Sequence, residues 1–383
     1  MKAVCWYGKR DVRVVDRPRP AITDSGDVVL KVTSTCICGS DLHLFEGYMP
    51  GMQKGDILGH EFMGVVDEVG PDVKNHKKGD RVVVCFDIAC GSCAYCHKGL
   101  HSSCSTTNPS GDQEALYGLK SGGFFGYSHL TGGYEGGQAE YVRVPMADVN
   151  CLAVPEGMPD EKVILLSDIL GTAWHANEMG EVGPGKNVAI WGAGPVGILA
   201  AHCAFERGAG RVILIDKEVY RLEYAAKKVP GVETLDYSKK KVDAELRTMF
   251  GDLQGPDVCI EAVGFHYAKT MLHMIEQKLM LETDPADVLN ELIRCCRKGG
   301  VISIVGVYAG FTNHFNIGAF MEKALTMRGG QTPVQKYWHL LLKKVQTGAL
   351  DPTMVITHPL PLDQAVHAYK IFNEKKDGCI KAS

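Results

Sequence analysis

The stretch that most limits what this chain can fold into is Gly192-Ala193-Gly194-Pro195-Val196-Gly197, a G-x-G-x-x-G pattern. On its own the pattern is weak. Here it follows the apolar run Val188–Trp191 and opens a helix at Pro195, which is the setting its mechanism needs. The first glycine allows a tight turn, the second lets backbone approach a pyrophosphate, and the third lets the helix pack on the strand. The helix N-terminus then offers free N–H groups to the phosphates. A second apolar run, Val212–Ile215, ends at Asp216, about 20 residues on, where an acid that binds the ribose belongs. Gly192, Ala193, Gly194, Pro195, Val196, Gly197 and Asp216 therefore read as a dinucleotide site. Asp216 favours NAD over NADP, since its charge would repel a 2′-phosphate; the neighbouring Lys217 works against that preference.

Around this turn, strands alternate with helices. Val188–Trp191, a helix from Pro195, Val212–Ile215, a helix from Val219, Val258–Ala262 and Val301–Val305 predict a Rossmann-type, doubly wound parallel sheet. The chain before it has a different texture. Asp27–Val32, Phe62–Val69 and Asp80–Val84 are short strands punctuated by glycine and proline, as in a small β-barrel. The fold class is thus α/β, in three stretches: a β-barrel domain over 1–155, a dinucleotide-binding domain over 156–312, and a return to the first domain over 313–383. That last stretch should hold a helix near Leu362–Phe372 and a final strand Cys379–Lys381. At 383 residues the chain is long enough for two cores.

The net charge of −4, with no long basic run, argues against nucleic acid or an anionic membrane as partner. No apolar stretch approaches the roughly 20 residues that span a bilayer, and Met1–Trp6 leads into a strand-like pattern rather than a signal core. The expectation is a cytoplasmic protein. Fourteen cysteines then need a role other than disulfides. Cys90, Cys93, Cys96 and Cys104 form C-x2-C-x2-C-x7-C, a spacing that can close four thiolates around one Zn²⁺; an iron–sulfur cluster is the competing reading. Cys5, Cys36, Cys85, Cys151, Cys203, Cys259, Cys295, Cys296 and Cys379 read as small buried hydrophobes.

Three separated segments suggest a second metal. Cys38 begins Cys-Gly-Ser-Asp-Leu-His, His60 is followed by Glu61, and Asp168 lies in the apolar run Leu165–Leu170, where an unpaired acid would be costly. Cys38, His60 and Asp168 would supply three ligands and leave one position open, as a catalytic zinc requires. Taken singly, each has a plainer reading: a core or surface histidine, a helix-capping aspartate.

Together, the Cys38–His43 segment, Gly59-His60-Glu61, the four-cysteine run and the glycine-rich fingerprint resemble, in that order, the zinc-containing alcohol dehydrogenases of the medium-chain dehydrogenase family. Ser167-Asp168-Ile169, Gly137–Tyr141 and Gly330–Tyr337 narrow the resemblance to glutathione-independent formaldehyde dehydrogenases and formaldehyde dismutases. The resemblance implies that the β-barrel domain is GroES-like and that two zinc ions and NAD are held per chain. It implies that Ser40 and His43 carry off the substrate's proton, that Asp41 orients His60, and that Glu61 lies behind the metal and can ligate it transiently. Phe86 would wall the substrate pocket and Arg221 would lie near the adenosine. Val263, Gly264, Val305 and Val307 would line the nicotinamide half of the cofactor site. A homodimer or tetramer acting on a short alcohol or an aldehyde hydrate is the implied whole.

A polyol or threonine dehydrogenase shares the Cys38–His43 and Gly59–Glu61 segments. A cofactor-binding protein without catalysis shares the fold, and a zinc-finger nucleic-acid binder shares only the four cysteines. One segment stays open. Residues 105–137 are glycine-rich and aperiodic, yet carry Tyr117, Phe124, Phe125, Tyr127 and Tyr134, too much aromatic surface for a loop that sees only water. The expectation is a cover over the cofactor or a neighbouring subunit.

Overall fold

A computed structural model describes residues 1–264 and 284–383. They form two compact units, Met1–Gly171 with Thr332–Ser383, and Thr172–Gln331.

The first unit opens with an antiparallel pair, β1 (Lys2–Gly8) and β2 (Asp11–Asp16). Its centre is a five-stranded antiparallel sheet built from β3 (Val28–Cys36), β4 (Glu61–Val69), β5 (Arg81–Val84), β8 (Tyr141–Val144) and β9 (Cys151–Ala153), in the order β8-β3-β4-β5-β9. Val28, Leu30, Phe62, Val66, Val82, Val84, Val142 and Val144 alternate onto one buried face, the period-2 pattern of a half-buried strand. The β3–β4 register shifts between Val32 and Ser34, a bulge that bends the ladder just ahead of Cys38. Between β5 and β8 a short ribbon pairs β6 (Asp87–Ile88) with β7 (Gly123–Phe124).

In the second unit, β10 (Asn187–Trp191), β11 (Arg211–Asp216), β12 (Glu233–Asp236), β13 (Val258–Glu261), β14 (Val301–Ile304) and β15 (Thr326–Gly329) form one sheet in the order β12-β11-β10-β13-β14-β15. Every described pairing in it is parallel. The order reverses beside β10, and that switch point is where a doubly wound sheet offers a ligand crevice at its carboxyl edge. The helices Pro195–Glu206 and Val219–Lys228 begin where the sequence places them. Gly197 is the tight point: a Cβ there would lie 1.8 Å from the Gly192 carbonyl oxygen.

The structure departs from the sequence reading in three places. The units change over after Gly171 and Gln331, later than the 155 and 312 boundaries. Val163, Ile164, Leu165 and Leu166 are fully buried in the first unit, packed on β4 and β5, while Thr326–Gly329 is the sixth strand of the parallel sheet. Cys379–Lys381 is no strand: a single bridge joins His358 to Ala382, and Thr357 occupies the neighbouring backbone.

The third departure concerns 105–137, whose aromatic surface is spent inside its own unit. Phe125 is fully buried and meets Phe62 edge to face at 5.2 Å, and Tyr134 donates its hydroxyl to the Thr107 carbonyl at 2.5 Å. A helix, Gly111–Tyr117, is capped by Ser110, and Asn108 ties it back through Gln113 at 2.8 Å. Phe124, Phe125 and Tyr127 are thus buried within the unit, while Leu116, Tyr117 and Leu119 stay exposed. All nine cysteines assigned to the core are buried.

Gly197→Ala should therefore cost about 1–3 kcal/mol through overpacking of the turn and weaken dinucleotide binding. Gly183→Ala, where a Cβ meets nothing within 4 Å, should stay within about 0.5 kcal/mol of wild type. Thermal denaturation and cofactor titration of the two variants check this; equal melting temperatures would contradict it.

Candidate functional site

The site begins at the end of β3. Cys36 finishes the strand and the chain turns into the helix Gly39–Phe45, with Cys38 as its N-cap. Asp41, three residues on, turns back so that Oδ2 accepts from the Cys38 N–H at 2.9 Å. The same oxygen accepts from Gln138 Nε2 at 3.3 Å, and Oδ1 lies 3.0 Å from His60 Nδ1. Asp41 is wholly buried. It fixes the start of the helix and the plane of His60 together, leaving Nε2 to face the other way.

On that other side lie the remaining donors. His60 Nε2 is 3.4 Å from Asp168 Oδ2, and Cys38 Sγ is 3.7 Å from the same oxygen. The ligand atoms of Cys38, His60, Glu61 and Asp168 all fall within 4.8 Å of one another, and all four residues are buried. A tetrahedral zinc with bonds of about 2.0–2.3 Å sets its ligands roughly 3.3–3.8 Å apart, so Cys38, His60 and Asp168 fit the ion. Charge agrees with distance. Burial alone would push His60 down, but Asp41, Asp168 and Cys38 outweigh it and hold the imidazole well above its ordinary range. Such surroundings favour a cation.

Glu61 is turned to a different partner. Lys381 Nζ lies 2.7 Å from its Oε2 and donates to the Ile37 carbonyl at 3.2 Å, with both side chains fully buried. Burial opposes the Lys381 charge, yet Glu61, then Cys36 and Cys38, raise it well above the usual lysine value. A pair this deep is held by its mutual attraction, and removing one member strands the other.

The remaining residues expected near the metal divide by what they touch. Ser40 places its hydroxyl 3.1 Å from His60 Nε2, on the metal-facing side. His43 follows one turn later on the same helix and is partly buried; burial pushes it down to about 4, with Asp41 opposing. Phe86 sits edge-on to His60, ring centres 6.2 Å apart, and its N–H bonds the Ser167 carbonyl at 3.0 Å, which anchors the segment carrying Asp168.

The four-cysteine lobe is a closed cluster. Sγ separations are 3.5 Å for Cys93–Cys96 and 3.9 Å for Cys90–Cys96 and Cys93–Cys104. Four thiolates on zinc at about 2.3 Å would stand roughly 3.8 Å apart, and no disulfide is formed. Backbone N–H groups of Ser92 and Cys93 point at the Cys90 sulfur, at 3.4 and 3.3 Å. Burial raises Cys90, but hydrogen bonds from Thr106, Ser92 and Cys93 win and bring it to about 5, a thiolate at neutral pH.

In the second unit the candidate cofactor residues meet at the carboxyl ends of β10, β13 and β14. A Cβ on Gly192 would touch Ala262 and Val263, and one on Gly264 would touch Val307. Glu261, fully buried, binds these loops: it accepts from Val263 N and Gly264 N at 2.8 Å and from Gly306 N at 3.1 Å, close to Val305. Asp216 ends β11 and accepts from Ala193 N at 2.7 Å, so the acid and the glycine turn are one assembly. Arg221 Nη1 would lie 3.8 Å from a Cβ on Gly194.

Sequence reasoning missed Lys381, Glu261, Gln138, Tyr127 and Tyr369, whose hydroxyl holds Gln138 Oε1 at 2.9 Å. Lys381 could have been found. A charge inside Cys379-Ile380-Lys381-Ala382 is the same signal as Asp168 in its own apolar run.

Residues 24–156 match the Alcohol dehydrogenase GroES-like domain. A zinc-type alcohol dehydrogenase-like protein of Schizosaccharomyces pombe is 41% identical over 382 residues, spanning all of this chain and 90% of that one. A glutathione-independent formaldehyde dehydrogenase of Pseudomonas aeruginosa is 35% identical over 400 aligned positions, covering 97% of this chain and 94% of the other. The solved alcohol dehydrogenase TADH from Thermus sp. ATN1 superposes with a TM-score of 0.85 at 33% identity, over 100% of this chain and 99% of that one.

Two measurements follow from the clusters. Elemental analysis should find about two zinc ions per chain, falling to about one in Cys93→Ser, with lost stability, and in Asp168→Ala, with the fold kept. Wild-type protein that holds no zinc would contradict both assignments. Lys381→Met should cost about 3–5 kcal/mol by stranding Glu61, and Glu61→Gln in the same chain should recover much of it. Additive losses in chemical denaturation would show that the pair does not act as one.

Proposed function

The chain belongs to the zinc-type alcohol dehydrogenases of the medium-chain dehydrogenase family, and from that premise we propose that it oxidises a short alcohol or an aldehyde hydrate with NAD. Cys38, His60 and Asp168 would hold a catalytic zinc, and Cys90, Cys93, Cys96 and Cys104 a structural one. The observation that carries this reading is the set of three buried donors spaced for a tetrahedral ion, with a serine hydroxyl 3.1 Å from one of them. When bound, zinc supplies a Lewis acid that lowers the pKa of a hydroxyl, and NAD supplies the hydride acceptor.

The chain's own residues do the rest. Asp41 holds His60 in one tautomer, Nδ1 toward the carboxylate and Nε2 toward the donors. The Ser40 hydroxyl is placed to accept the substrate's proton, and His43, one helical turn on, is the next base. Burial lowers His43 to about 4 and keeps it neutral at physiological pH, so it would pass a proton on to solvent rather than hold it. Phe86 presents a ring beside His60 and limits the substrate at that wall. Glu61 is engaged by Lys381, so Cys38, His60 and Asp168 would be the residues that hold the ion.

The same scheme serves an aldehyde, because its hydrate carries an oxidisable hydroxyl on the reacting carbon and needs no cysteine nucleophile. The 35% identity to a formaldehyde dehydrogenase supports that substrate class. On the cofactor, Asp216 anchors the glycine turn at Ala193, and its charge at the end of β11 would repel a 2′-phosphate.

Steady-state kinetics with short alcohols, aldehydes and polyols test the proposal. NAD should be preferred to NADP by about 100-fold, and Asp216→Ser should narrow the gap by roughly tenfold as the repulsion goes. Equal use of NADP by wild type would overturn the reading of Asp216, and turnover confined to polyols would overturn the substrate class.

A further inference from the structure

Tyr127 stands in the wall of the donor cluster, and nothing above gives it a task. Its position is set by a crossing of two glycines. A Cβ on Gly126, which has φ +52°, would lie 2.5 Å from Gly59 N, so the chain on either side passes too close for side chains. Gly59 precedes His60 and Gly126 precedes Tyr127, so the contact sets the two rings side by side. They meet edge to face with centres 6.1 Å apart. Phe124 lies 6.4 Å from Tyr127, and Phe86 lies 5.1 Å from Phe124, which completes an aromatic wall.

A phenylalanine would complete that wall as well. The hydroxyl is the unexplained atom. Tyr127 is 8% exposed, and its Oη is buried with no hydrogen-bond partner among the described residues. A buried hydroxyl left unpaired is unfavourable, and such groups are normally satisfied by protein, water or ligand. Burial raises its hydroxyl, and the titratable groups acting on it are His60, Asp41, Cys38 and Tyr117, of which His60 and Cys38 belong to the donor cluster.

Resting on the function proposed above, we infer that Tyr127 is a specificity-determining residue whose hydroxyl bonds a second oxygen on the substrate's reacting carbon. The reacting oxygen is already served by the open metal position and by Ser40. A simple alcohol has no other oxygen there, whereas the hydrate of an aldehyde has one. Tyr127 therefore selects the hydrate over the matching alcohol, because a site built to bond a hydroxyl discriminates against the analogue that lacks it.

The test uses equilibrium binding to zinc-loaded protein without cofactor, so that no turnover occurs. The probes are trifluoroacetaldehyde hydrate and 2,2,2-trifluoroethanol, which share the trifluoromethyl group and differ by one hydroxyl. Calorimetric titration should show wild type binding the hydrate about tenfold more tightly. Tyr127→Phe should abolish that ratio, leave the trifluoroethanol affinity within about twofold, and melt close to wild type. A wild type without preference, an unchanged ratio in the variant, or an equal fall for both probes would overturn the inference; the last would mark a merely structural tyrosine. A protein that shows the ratio yet oxidises neither alcohols nor aldehydes with NAD would sustain Tyr127's role and refute the dehydrogenase reading instead.

Discussion

The carboxylate of Asp41 is the constraint on which the rest of the site depends. One wholly buried side chain caps the helix at Cys38, faces Nδ1 of His60 and accepts from Gln138. Each of those partners reaches the site from a different segment. Cys38 follows β3, His60 immediately precedes β4, and Gln138 lies in the approach to β8. A buried carboxylate is tolerated only when its oxygens are occupied, so the three segments must converge before the charge can be buried. The metal-facing geometry of Cys38 and His60 is thus a by-product of satisfying Asp41, which is how a site can be built in advance of its ion.

Lys381 plays the complementary part from the far end of the chain. It brings residues near the C-terminus into the same unit as the N-terminal strands, and its target, Glu61, is the neighbour of a donor. Glu61 is held by Lys381 while a ligand atom of its carboxylate stays within 4.8 Å of those of Cys38, His60 and Asp168. Under the proposed function that arrangement would separate an open site from the four-sulfur lobe, which brings together four cysteines and no other donor. The first would suit chemistry and the second would hold a loop.

What could be read from the sequence was whatever is local in register. The glycine turn with its strand, helix and Asp216 falls within one βαβ unit, and the C-x2-C-x2-C-x7-C run closes on itself, so spacing alone picks out both as candidate sites. Cys38, His60 and Asp168 are far apart in sequence, and their convergence depends on β3, β4 and the burial of Ile164–Leu166; their residue types suggested a ligand set, and the resemblance to a known family weighed it above the plainer reading of each residue. Glu261 and Gln138 could not have been picked out, because a carboxylate that binds loop N–H groups and an amide that links Asp41 to Tyr369 have no signature in spacing. The packing of the segment 105–137 was hidden for a related reason. Its aromatic residues show no period, and the partners that bury them, Phe62 on a distant strand and Thr107 at the far end of the segment itself, follow no pattern the sequence displays. The cysteines outside the two clusters, by contrast, followed from the usual burial of free cysteine, and they are buried.

The central claim is that metal, proton relay and dinucleotide serve a single hydride transfer. Isotope transfer tests it most directly. Zinc-loaded protein is supplied with NAD and a short primary alcohol carrying deuterium on the reacting carbon, and the reduced cofactor is weighed by mass spectrometry. The account predicts reduced cofactor heavier by one deuterium, formed with wild type, abolished when chelation empties the open site, and restored when zinc is returned. Reduced cofactor without the label, or labelled cofactor formed at an undiminished rate after the open site is emptied, would contradict it.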